Sequence, residues 1–205
     1  MEINGSVCIS RGKVYFCTSQ NMYCIGKAGA GSGAAPIPTP VGPGKAEANA
    51  KPAHLQVFPA EVAMGPGESR SFTARLFDAK GRIIGECKPE WSVAGLDGAV
   101  DKNGGLSLGK DGGFQGGILT ASHGGLKGVS RVRVVPSLPF KIDFEDRKPG
   151  PAPGGWISAS PVKFKVVDFD GNKVLKKLSD KPKFILARMY FGRHFQKGYT
   201  FQVDM

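Results

Sequence analysis

Apolar and polar positions alternate through "KVYFCT", residues 13–18, break at the polar "SQN", and resume through "MYCIG", residues 22–26. Period-two alternation on both sides of a turn predicts an antiparallel hairpin closed by Gly26. A hairpin alone is marginal in water, so these strands need something to pack against. Residues 28–53 lose the pattern. Ala, Gly and Pro with scattered Lys and Glu offer too little apolar surface to offset the entropy of ordering, which predicts a linker, polyproline-like through "APIPTPVGP".

Alternation returns at His54. "HLQVFPAEVAMGPGESRSFTARLFDAKGRII" reads as a strand, a Pro turn, a second strand, a "GPGES" turn, a long strand from Ser69 to Phe77 and a "DAKG" turn. Phe72, Ala74 and Leu76 share one face of the long strand, with Ser71, Thr73 and Arg75 on the other, as a sheet with one wet side requires. "PEWSVAG" puts Trp91 in the next strand, "GAVDKNGGLSLGK" is a hairpin with Asn-Gly at its tip, and "GGILTASHGGLKGVSRVRVV" supplies two closing strands. Beyond Pro136, "FKIDFE", "WISASPVKFKVVDFDGNKVLKKL", "FILARMYFG" and "YTFQVDM" are further strand candidates between Pro and Gly turns. The expected organisation is 1–27, a partial β unit; 28–53, linker; 54–136, a β-sandwich; and 137–205, a second, partial sandwich.

Composition agrees with that pattern: 30 Gly and 15 Pro punctuate short runs of Val, Ile, Phe, Tyr and Thr over 205 residues, so the fold class expected is all-β. The net charge of +11 raises the question of a polyanionic partner. Basic residues outnumber acidic ones five to two in 1–53, ten to eight in 54–136 and thirteen to seven in 137–205. They lack an aromatic RNA-binding box or a recognition helix, so a solvated basic surface is expected and no nucleic-acid partner. No run of 18 apolar residues occurs, hence no membrane-spanning helix is expected, and "MEINGSVCIS" lacks the charged and apolar regions of a signal peptide. Cys8, Cys17, Cys24 and Cys87 are too unevenly spaced for a disulfide framework or a zinc site. Cys17 and Cys24 bracket the first turn, which leaves one disulfide open, and buried free thiols are the plainer expectation.

Gly12, Val14, Tyr15, Thr18, Tyr23 and Ile25 resemble the "G-x-V-Y-x-G-T-x-D-G-x-L-Y" repeat of pyrroloquinoline-quinone-type β-propellers. Gln20 and Asn21 replace its Asp and Gly, and Cys17 replaces its small Gly. The resemblance implies that residues 1–27 are part of a last blade whose companions lie outside this chain, with no quinone-binding residue here. Residues 54–136 look like the bacterial Ig-like domains of cell-surface proteins, through "VFPAEVAMGPGESRSFTARLFDAKGR", Trp91, "GAVDKNGGLSLGK" and "RVRVV". That implies a spacer or adhesion module with Trp91 in its core; no Cys pair flanks Trp91, so the antibody type is excluded. Residues 137–205 resemble the opening of a concanavalin-like, laminin-G-like jelly roll, through Phe144, Glu145, Gly155, Trp156, Asp168, Gly171, Asn172, Tyr199, Thr200 and Asp204. Such sandwiches run well past a hundred residues, which implies a piece of a larger surface protein.

Candidate chemistry is sparse. Asp168, Asp170 and Asn172 in "DFDGN" put oxygen ligands at alternate positions as a calcium loop does, but lack its closing Glu; a hairpin turn is the alternative. Asp143, Glu145 and Asp146 cluster without a second carboxylate set across a cleft. Tyr190, Arg193 and His194 form a candidate ligand contact. With no nucleophile elbow, phosphate loop or zinc helix in the sequence, no catalytic residue and no cofactor are expected. The function expected is a non-catalytic, extracytoplasmic surface or scaffold protein of the periplasm or cell surface. Its partners would be cell-wall or extracellular carbohydrate, protein, or other domains of the parent. The alternative is a piece of a larger enzyme, a quinone-dependent dehydrogenase or a glycoside hydrolase, with its active site elsewhere.

Overall fold

Thr18 sets the first turn: its hydroxyl accepts the N–H of Asn21 (3.1 Å) and of Gln20 (3.4 Å), and its own N–H donates to the Asn21 carbonyl (2.8 Å). This closes the strands β2 (Lys13–Cys17) and β3 (Met22–Ile25), and β1 (Cys8–Ser10) adds to β2 to give an antiparallel sheet ordered β1-β2-β3. The computed structural model describes residues 6–10, 12–18, 20–27, 44–178, 188–193 and 196–204. It divides the chain into two compact units, 1–42 and 43–205. In the first, Phe16 stacks on the directly opposite Tyr23 with ring centroids 5.0 Å apart. Cys17 stands opposite Met22 and Cys24 opposite Tyr15, so the two cysteines are offset along the ribbon and both are free. The expectation of buried thiols is corrected here: Cys8, Cys17 and Cys24 are exposed, because they occupy one face of a sheet that leaves Met22 on that face and Ile9 on the other exposed as well.

The second unit begins before His54. Ala46 donates to the Ile83 carbonyl and Ile83 to the Gly44 carbonyl (both 2.9 Å), while Arg82 reaches Glu47 at 3.0 Å, so residues 44–53, read as linker, run against the sandwich. The strands are β4 (His54–Phe58), β5 (Glu61–Met64), β6 (Ser69–Ser71), β7 (Thr73–Phe77), β8 (Ile83–Cys87), β9 (Glu90–Ala94), β10 (Gly98–Val100), β11 (Gly105–Leu108), β12 (Gln115–His123) and β13 (Leu126–Val134). They form sheets ordered β4-β7-β8, β5-β13-β12-β9 and β10-β11-β6, with β5 parallel to β13 and the other pairs antiparallel. Described residues contain no helix, and no sheet closes into a barrel: the fold is all-β and sandwich-like, as the sequence pattern predicts.

Period-two burial builds the core. Leu55, Val57, Ala74, Leu76, Leu119, Ala121, Val132 and Val134 are buried together, with Trp91, Val93 and Cys87 packed against them half-buried. The expected single strand from Ser69 to Phe77 is two strands in two sheets. Phe72, 1% exposed, interrupts it by donating its N–H to the Gly104 carbonyl (2.9 Å), so β6 pairs with β11 while β7 pairs with β4 and β8. Gly104, at φ +84°, is required there: a Cβ would meet the Phe72 carbonyl and lie 2.9 Å from the Trp91 ring. Buried Ser130 donates to the Pro59 carbonyl (2.7 Å).

Three further strands follow: β14 (Gly150–Pro151), β15 (Phe164–Phe169) and β16 (Asn172–Lys177), ordered β14-β15-β16 and antiparallel. Two strand expectations are corrected. "FKIDFE" is irregular because Phe144 sits at φ +64°, outside the extended region, and residues 199–204 of "YTFQVDM" carry no ladder. The first four residues of "FILARMYFG", 184–187, and His194 lie outside the described residues; of the remainder, Tyr190 makes a bridge to Ile157.

Two outcomes are expected. Leu119→Ala removes a fully buried side chain and is expected to cost about 2–5 kcal/mol in urea unfolding. Asp78, 5% exposed, accepts the N–H groups of Arg82 and Lys80 (both 2.9 Å) and the Arg82 guanidinium (2.7 Å). The Arg82 N–H first, then its guanidinium and the Lys80 N–H, hold the carboxyl below its ordinary value against the opposing effect of burial. A depressed carboxyl stabilises the fold above its ordinary value and loses that contribution as pH falls through the folded one. Asp78→Asn is therefore expected to be less stable than the parent at pH 7, with the difference shrinking below about pH 4; a difference independent of pH in paired denaturation curves would refute the assignment.

Candidate functional site: an aromatic cleft beside the sandwich

The cleft depends on glycines. Gly154 and Gly155 lie directly on the start of β12: a Cβ on Gly154 would stand 2.6 Å from the Gly116 nitrogen, and one on Gly116 would stand 2.6 Å from the Gly155 nitrogen. Gly155 has φ +79°, and its Cβ would collide with the Gln115 carbonyl. Backbone meets backbone here because no side chain intervenes. The next residue, Trp156, is thereby carried against the sandwich.

Trp156 then organises the rings around it. Phe114, in the loop before β12, is 5.9 Å from Trp156 and 5.0 Å from Phe140, both edge-on; Phe144 stands 6.3 Å from Trp156, and Phe191 stacks on it at 4.6 Å. The Trp156 indole N–H is buried with no hydrogen-bond partner among the described residues. Phe114, Phe140 and Phe144, with Pro136 and Pro153, wall a cleft of about 190 Å³ whose rim carries Lys141, Asp143, Asp146 and Arg147. Phe144 reaches its place only through the left-handed backbone at φ +64°, a conformation that is costly for a bulky residue and is held by the Arg147 N–H donating to its carbonyl (3.0 Å). A remote tie adds to the docking: Arg193, largely buried, meets Glu68 of the sandwich at 3.0 Å. The Gly65 N–H, and then Arg193, hold the Glu68 carboxyl below its ordinary value.

The residues singled out in the sequence are dispersed. Asp143 and Asp146 are at the cleft rim, but Glu145 turns away: its carboxylate accepts the Lys173 N–H (2.9 Å) and its carbonyl accepts the Lys173 ammonium (2.7 Å). Asp168 is in β15 opposite Lys173, and Asp170 with Gly171 forms the two-residue turn, at φ +49° and +80°. The Asn172 amide donates to the Asp170 carbonyl at 3.3 Å, the geometry of a hairpin turn. No cluster of three His, Cys, Asp or Glu side chains suited to a metal occurs among the described residues. Tyr190 is exposed and Arg193 pairs with Glu68, while His194 lies outside the described residues. Phe114 and Phe140 were missed by sequence reasoning; their only signal is a Phe after "DGG" and another after "SLP", each in a loop.

A second hollow, about 380 Å³ and wide open, lies at the β12–β13 turn beside Lys88, Glu90 and His123, whose Nδ1 is 3.2 Å from the Lys88 carbonyl. No Phe, Tyr or Trp is among its lining residues. No protein-family model matches the chain, and no curated protein matches it. No helix among the described residues is long and apolar enough to cross a membrane.

In a Trp91→Phe background Trp156 is the sole tryptophan. Gly154→Val is expected to red-shift its emission while the far-ultraviolet β signal persists, since the added side chain pushes Trp156 off the sandwich. An unshifted spectrum would show that the contact does not position the ring.

Proposed function

We propose that the chain is a non-catalytic surface or scaffold module, extracytoplasmic, that binds carbohydrate at the aromatic cleft. The observation that carries this reading is the combination of ring walls and a polar rim. The C–H face of a pyranose packs on Phe140 and Phe144, while Asp143, Asp146 and Arg147 offer acceptors and donors to its hydroxyls. At about 190 Å³ the cleft is below the roughly 300–1,000 Å³ of sites for larger small molecules, so it takes one ring, a chain end or a branch.

The finer family readings belong to the same proposal. The antiparallel β1-β2-β3 sheet with its Phe16–Tyr23 stack supports a propeller-blade element, and facing sheets with β5 parallel to β13 support an Ig-like spacer. The β15–β16 hairpin supports a jelly-roll element in 137–205. Localisation rests on the resemblance to bacterial surface modules.

The Trp91→Phe protein, titrated with neutral oligosaccharides from a glycan panel, is expected to show a saturable change in Trp156 emission. Phe140→Ala is expected to weaken that binding about tenfold, the loss of one ring contact. Absence of any saturable response, or a response unchanged by Phe140→Ala, would contradict the cleft as a sugar site.

A further inference from the structure

In an antiparallel pair, residues directly opposite share a face. On the outer face of the β15–β16 hairpin, Lys165 stands directly opposite Lys176, Val167 opposite Val174, and Phe169 opposite Asn172. The inner face is the one that packs, with Phe164 5% and Val166 1% exposed. Both lysines are exposed, and Phe169 is 63% exposed. Like charges set opposite each other on a ladder destabilise it. Among the described residues no carboxylate relieves them: Asp168 belongs to the inner face opposite Lys173, and Glu145 is taken up by Lys173. The pair also lies in the region where thirteen basic residues face seven acidic ones.

We propose that the outer face of the β15–β16 hairpin is a binding surface for an acidic polysaccharide, with Lys165 and Lys176 gripping a carboxylate and Phe169 and the valine pair packing the sugar ring next to it. A row of charge at one end of an apolar strip suits a polymer that carries its anion on a ring with C–H faces. A nucleic-acid backbone calls instead for cations along the whole track. The surface is made by the hairpin alone and does not rest on the aromatic cleft.

The probe is a labelled polygalacturonate oligomer, titrated into the full chain by fluorescence anisotropy. Its fully methyl-esterified form is the uncharged control, and duplex DNA is the competing polyanion. Lys165→Gln/Lys176→Gln is expected to weaken binding about three- to tenfold and to flatten its salt dependence. The same variant is expected to raise the thermal unfolding midpoint, because the opposed charges are gone. A lysine pair with a merely structural role would lose stability instead. Lys102→Gln/Lys127→Gln, two exposed lysines of the sandwich, removes the same net charge and is expected to leave affinity unchanged. The titrations are run in the Phe140→Ala background, so that sugar taken up at the cleft does not contribute, and there Phe169→Ala is expected to weaken binding with the salt dependence intact. The proposal is overturned by equal losses in the two lysine double variants, by equal binding of the methyl ester, by tighter capture of DNA, or by no binding of polygalacturonate.

Discussion

Contact of bare backbone between Gly154–Gly155 and Gly116 is the constraint on which the second unit depends. A side chain on any of the three forces the segments apart, because the atoms it would meet are main-chain nitrogens and carbonyls that cannot rotate away. From that contact Trp156 takes its position, and from Trp156 the rings of Phe114, Phe144 and Phe191 take theirs. Arg193 bound to Glu68 ties a later stretch of chain to the same sandwich. Residues 137–204, where described, are thus joined to the sandwich by glycine packing, ring packing and one ion pair.

Inside the sandwich a similar device acts at Gly104. Its missing side chain lets Trp91 lie over the β10–β11 turn and lets Phe72 donate to the Gly104 carbonyl, which transfers the chain from one sheet to another. Asp101 holds that turn by accepting the N–H groups of Gly105 (2.9 Å) and Asn103 (2.7 Å), which in that order keep its carboxyl below the ordinary value. Polar turn residues and absent side chains therefore decide where strands end, while the alternating apolar residues decide which face is buried.

Much of this was legible beforehand. Alternation in "SFTARLF" assigns Phe72, Ala74 and Leu76 to the buried face, and the hairpin-turn reading of "DFDGN" agrees with Asp170-Gly171, which adopts the positive φ values such a turn needs. What alternation cannot register is a change of partner within a run, so the switch at Phe72 and the strand β8 went unread. Residues 44–53 read as linker because they carry little apolar surface; their attachment is by main-chain hydrogen bonds to Ile83, which composition does not encode. The cleft was hidden for a related reason. Phe114 and Phe140 are loop residues far from Trp156 in sequence, and only the docking of Gly154–Gly155 on β12 brings them together. Of the acidic residues that stood out, Asp170 forms a hairpin turn and Glu145 holds Lys173, while Asp143 and Asp146 stand at the cleft rim.

Amide chemical-shift perturbation in the full chain, on addition of the neutral oligosaccharide that binds best, tests most directly whether glycine docking builds a sugar site. The account predicts shifts concentrated at Gly113–Gly116, Phe140–Arg147 and Gly154–Trp156, three stretches separated in sequence, the first two contributing to the cleft lining and the third docked beside it on Gly116. Shifts centred on the His123 turn, or confined to one of those stretches, would contradict it.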